Sequence, residues 1–126
     1  MKITLLSLAL CTILFSACKK KNEAPASGIN IRIENKSSYQ FDNVLVWAGD
    51  VKNNYGSIKP GQTSEYKIFN EAYRYAYVKL NVGEKEFILQ PIDYVGETPL
   101  EAGKYTYQLT VSNYDQSRLN LSYKKD

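Results

Sequence analysis

Histidine is absent from this chain, and cysteine occurs only at positions 11 and 18. Both facts exclude chemistry before any element is placed. Ser-His-Asp and Cys-His nucleophile systems lose their base, and the usual zinc, copper and haem sites lose their common ligands. Everything beyond residue 18 must fold without a disulfide. Sustained helical periodicity is also lacking, so no glycine-rich phosphate loop can open onto a helix. Carboxylates are what remains for catalysis, since a glycosidase needs two acids. Asp93 and Glu97 share one loop, and Asp42, Asp50 and Asp115 stand at other turns. Acids at turns ordinarily meet water or backbone donors, and no Asp-x-Asp-x-Asp spacing supports calcium at Asp50 or Asp93. The reading is a non-enzyme with no cofactor and no metal.

What is present begins with Lys2 and the apolar run Ile3 to Phe15. A membrane-spanning helix needs roughly 20 such residues, whereas the core of a removed signal needs about 7–15. Leu14-Phe15-Ser16-Ala17-Cys18 resembles a lipobox, with Phe15 where an aliphatic residue is usual. That resemblance to bacterial lipoproteins implies cleavage before Cys18. It also implies a diacylglyceryl thioether on the sulfur, a bond that suits the most nucleophilic of side chains. Residues 1–17 are then a discarded signal peptide, 18–27 a lipid-anchored flexible tether containing Pro25, and 28–126 the folded domain. Lys19 stands where the familiar sorting rule places an Asp for inner-membrane retention, so the resemblance points to the outer membrane.

The chain's formal charge of +3 is a matter of position. Once Lys2, Lys19, Lys20, Lys21 and Glu23 are set aside, twelve basic and twelve acidic side chains remain. A domain so balanced has no surplus with which to build a nucleic-acid-binding face. The tether lysines are expected either to lie against anionic headgroups or simply to be solvated.

Beyond the tether the apolar period is two. Ile29, Ile31 and Ile33 alternate with polar residues, and Tyr39 to Trp47 follows, with Val44-Leu45-Val46-Trp47 expected to be buried on more than one side. Residues 48–54 have loop composition, and 55–58 form a short strand candidate. Lys59-Pro60-Gly61-Gln62 is a turn signal. Thr63 to Phe69 follows as a strand, then a long strand from Tyr73 to Val82 with an aliphatic face of Ala76, Val78, Leu80 and Val82. Gly83-Glu84 joins it to a hairpin arm at 85–90. After the irregular stretch 91–102, Lys104 to Ser112 alternates again, and Leu119, Leu121 and Tyr123 mark the last strand. Seven or eight short antiparallel strands with turns every 8–12 residues predict an all-β sandwich.

Ala102-Gly103-Lys104-Tyr105-Thr106-Tyr107 resembles the tyrosine corner of immunoglobulin-like domains, with Tyr107 where antibody domains carry a cysteine. The resemblance implies a single immunoglobulin-like, Greek-key sandwich; a transthyretin-like sandwich can enter a strand through a similar turn. As a whole the chain resembles small Gram-negative lipoproteins that carry one such domain.

Eleven tyrosines are the feature above background. Tyr73, Tyr75 and Tyr77 share one strand face, with Arg74 beside them. They either pack between the sheets or form an open surface that stacks on sugars or grips a protein. Trp47 is expected in the core. The sequence thus predicts an envelope lipoprotein acting as a protein-interaction or assembly module through this surface. A carbohydrate-binding accessory of a glycan-uptake system and a periplasmic inhibitor of a wall-degrading hydrolase are the alternatives.

Overall fold

A computed structural model describes residues 28–92 and 96–126; Cys18, the tether and Asp93 lie outside them. Eight strands form two four-stranded sheets: β1 (Ile29–Asn35), β2 (Phe41–Ala48), β3 (Val51–Ile58), β4 (Lys67–Phe69), β5 (Tyr77–Val82), β6 (Lys85–Leu89), β7 (Gly103–Asn113) and β8 (Arg118–Lys125). Sheet A has the order β4-β1-β7-β8 and sheet B the order β3-β2-β5-β6. The all-β sandwich follows from the period-2 pattern: the isoleucines of β1, Val78, Leu80 and Val82 of β5, and Tyr105, Tyr107 and Leu109 of β7 all meet in one core.

Two features depart from expectation. The strands are not all antiparallel, because β1 runs parallel to β7 from Ile29↔Gly103 to Asn35↔Leu109. In addition, the first two strands of an immunoglobulin constant domain share a sheet, whereas here β1 and β2 lie in opposite sheets. The tyrosine corner is nonetheless formed: the Tyr105 hydroxyl donates to the Glu101 carbonyl at 2.8 Å.

Strand boundaries moved where polar residues hid a strand or aromatics mimicked one. The segment with loop composition is mostly β3, an edge strand whose Lys52 and Asn54 side chains are exposed; only Gly49 and Asp50 turn the chain. Gly49 has φ +59, and an added Cβ would meet Glu71 at 3.3 Å. Residues 73–76 are irregular, so the expected long strand begins only at Tyr77. The strand predicted at 63–69 is reduced to Lys67–Phe69, preceded by a single bridge between Thr63 and Glu34. The Pro60-Gly61 turn is as predicted, with the Gln62 amide donating to Lys59 O at 3.0 Å and Gly61 at φ +75.

Trp47 is the clearest correction. It is 44% exposed, and the cause is a bulge. Phe41 and Val44 both point into the core although three residues apart, which simple alternation forbids. The register of β2 shifts between them, and Asn43 takes φ 50, a left-handed conformation that Asn tolerates. The bulge reverses the phase, so Val44, Val46 and Ala48 face inward while Leu45 and Trp47 face outward.

Buried polar groups complete the frame. Asn35, fully buried where β1 ends, donates from Nδ2 to Tyr39 O (2.7 Å) and Ile58 O (2.9 Å), while its Oδ1 accepts from the Ser37 amide. On the outer face of sheet A, the Asp126 carboxylate accepts from Tyr66 (2.6 Å) and Thr106 (2.8 Å) and lies 3.5 Å from Arg32. Partial burial raises its pKa, but those hydrogen bonds and the charges of Arg32 and Lys124 outweigh it, leaving the value below the ordinary one.

Two outcomes test this frame. Asn35→Ala strands two carbonyls, so at roughly 1–3 kcal/mol for each unsatisfied group the loss should be about 2–4 kcal/mol, read from the urea midpoint. A depressed carboxylate stabilises the fold above its unfolded pKa, about 3.9, and that contribution fades as pH falls through the folded value. Asp126→Asn should therefore lower the urea midpoint at neutral pH, and the difference from wild type should vanish in acid.

Candidate functional site

The strand directions gather several segments at one end of the sandwich. β1 and β7 begin there and β4 and β8 end there, so Gly28 lies at that end of sheet A. Asn53, near the start of β3, donates to Ile68 O at 2.9 Å, which aligns the same end of sheet B. The Gly49 turn, the 70–76 link and Gln90-Pro91 therefore share the end at which Gly28 lies.

Here Trp47, Ala48, Gly49, Tyr73, Tyr75, Tyr77, Gln90 and Pro91 line a cleft of about 340 Å³. Its parts come from β2, β5, the link before β5 and the residues that follow β6. Trp47 sits at the end of β2, turned outward by the bulge, and its register partner on β5 is Tyr77. The two rings meet edge to face, with centroids 6.1 Å apart and planes at 74°. Lys52, opposite Trp47 on β3, places its ammonium 4.2 Å from the indole centroid. Tyr73 and Tyr75 come from the irregular link, which buried Ala72 and Ala76 pin to the core. The Tyr73 carbonyl accepts from the hydroxyl of Tyr107, a fully buried ring of sheet A. A second groove of about 390 Å³ shares Tyr75 and Pro91 and continues past Ile92 to Leu121 of β8.

Two polar tips at the cleft are engaged within the fold. Trp47 Nε1 donates to Gly49 O at 3.0 Å, and the Tyr73 hydroxyl donates to Glu71. What the cleft offers a ligand is chiefly ring surface.

Three of the four predicted surface residues, Tyr73, Tyr75 and Tyr77, thus come together, half-buried. Arg74 does not join them; it is exposed, its guanidinium 5.6 Å from the Tyr123 ring. Trp47 was missed as a site residue because the bulge that exposes it has no marker in the sequence except a tolerant Asn. Many other tyrosines are structural. The Tyr55 hydroxyl donates to Ile31 O at 2.7 Å across the two sheets, and burial, with a contribution from Tyr107, pushes its pKa far above the ordinary phenol value.

The acids are dispersed. Asp42 is solvent-facing and held below its usual pKa by hydrogen bonds from Gln40 and Ser57, Asp50 accepts from Asn70, and Glu97 borders only the second groove. Among the described residues no group of three or more His, Cys, Asp or Glu is placed to hold a metal.

Surface and core rings should separate on substitution. Trp47→Ala removes an exposed ring and should cost under about 1 kcal/mol. Tyr107→Phe leaves the Tyr73 carbonyl without its buried donor and should cost about 1–3 kcal/mol. Denaturant titrations followed by circular dichroism compare the two.

No protein-family model, curated protein or solved structure matches this chain.

Proposed function

We propose that this is a non-catalytic lipoprotein of the bacterial envelope, anchored through Cys18 in the outer membrane, whose sandwich holds a protein partner in the cleft of Trp47, Tyr73, Tyr75 and Tyr77. The observation that carries the reading is the crossed arrangement of Trp47 and Tyr77, with the indole N–H and the Tyr73 hydroxyl already engaged. A sugar face stacks best on flat, coplanar rings and needs hydrogen bonds for its hydroxyls. Here the planes cross at 74° and an ammonium caps the indole. An apolar or proline-bearing segment of another protein demands neither platform nor donors, and it gains from a desolvated aromatic anchor. The cleft volume of about 340 Å³ admits a few side chains.

The glycan-binding alternative keeps one point in its favour, the clustering of four large rings at a single accessible place. Trp47 is the chain's only tryptophan, so its fluorescence reports the cleft directly. With a photo-crosslinking amino acid at position 47 in living cells, the expected result is a discrete protein adduct that the same amino acid at position 39 does not give. Saturable shifts of Trp47 emission on titration with soluble polysaccharide, abolished by Tyr77→Ala and without any such adduct, would replace the protein reading with the glycan one.

A further inference from the structure

The cleft accounts for the Gly28 end of sheet B. The same end of sheet A has a different chemistry. Gly28 enters between β4 and β7, its carbonyl accepting from the Gly103 amide at 3.1 Å. Around it stand Lys104, the register partner of Asn30 on β7, and Lys124 and Lys125 at the end of β8. Ile68, 57% exposed, is the register partner of Asn30 on β4. Of the acids at this end, Asp126 is shared by Arg32, Lys124, Thr106 and Tyr66, Glu71 accepts from Tyr73 and Asp50 from Asn70.

Asn30 supplies an independent observation. It is only 8% exposed, and its Nδ2 is a buried side-chain donor without an acceptor among the described residues. A buried amide donor left unpaired is costly, and it lies between the register positions of Ile68 and Lys104.

We infer that the end of sheet A around Gly28 is a docking surface for the phosphate headgroups of an anionic bilayer, with Lys104, Lys124 and Lys125 as its charged contacts and Ile68 as its apolar one. The inference rests on the reading of Cys18 as the lipid anchor. Ten residues, 18–27, precede Gly28, and at about 3.3–3.6 Å per residue they reach at most about 35 Å. The covalent chain therefore holds the lysine end within that reach of the bilayer. An eight-residue strand is about 26 Å long, so the far end of the sandwich stands well beyond the roughly 8–10 Å over which surface charge acts at physiological salt. Docking by this end presents the aromatic cleft at the bilayer surface, which restricts its partner to proteins in the same membrane.

The test uses the mature lipidated protein in vesicles containing headgroup-spin-labelled lipid. A fluorophore is placed at Ala102→Cys, on the docking end, or at Ser38→Cys, on the β1–β2 connection at the far end. In vesicles with about one-third phosphatidylglycerol, the label at 102 should be quenched several-fold more than that at 38. The excess should fall towards its level in pure phosphatidylcholine when Lys104, Lys124 and Lys125 are all changed to Gln, or in about 0.5 M salt. An excess that is the same in neutral and anionic vesicles overturns the docking surface while leaving the anchor intact. An intact mass showing no diacylglyceryl group on Cys18 overturns the anchor reading and this inference with it.

Discussion

The bulge at Asn43 is the constraint on which the aromatic cleft depends. A strand with unbroken alternation that buries Phe41 would also bury residue 47. By inserting one residue with a left-handed backbone, β2 buries Phe41, Val44 and Val46 and still delivers an indole to the outside. The packing of sheet B and the exposure of Trp47 are thus one decision, made four residues upstream of the ring. Bulges commonly re-aim side chains near functional sites, and here the re-aimed side chain is the only tryptophan.

A sandwich without disulfides needs another way to hold its sheets and corners in register, and tyrosine supplies it. Tyr55 of sheet B donates to β1 of sheet A, Tyr107 of sheet A donates to the link before β5, and Tyr105 closes its own corner. Each ring contributes buried area along its body and a fixed hydrogen bond at its tip. This division of labour explains why so many tyrosines are not so many ligand contacts. It also couples the site to the core, because the carbonyl of Tyr73 in the cleft is held by a ring that is wholly internal.

The sandwich was legible because Ile29-Ile31-Ile33, Val78-Leu80-Val82 and Tyr105-Tyr107-Leu109 each repeat with period 2, and because Pro60-Gly61 and Gly83-Glu84 carry their own turn chemistry. The parallel pairing of β1 with β7 was not, since it joins residues some seventy positions apart and depends on how whole sheets stack. Of the cleft, the tyrosines were visible as a cluster, but the separation of Arg74 from them was not: an irregular link at 73–76 replaces the regular strand that alternation suggested. Polar β3 shows the converse limit, an edge strand whose Lys and Asn residues resemble a loop until a partner strand is seen beside them.

The hydrogen bonding of Asn35 reaches beyond stability. Asn35-Lys36-Ser37 satisfies the acceptor pattern for N-linked glycosylation, as does Asn120-Leu121-Ser122. Asn120 is exposed on β8 and could carry a sugar chain, but Asn35 is sealed in the core with both amide hydrogens committed. In a secretory pathway that attaches glycans to the emerging chain, modification at Asn35 would precede folding and forbid it. Material for the experiments above therefore belongs in a bacterial host.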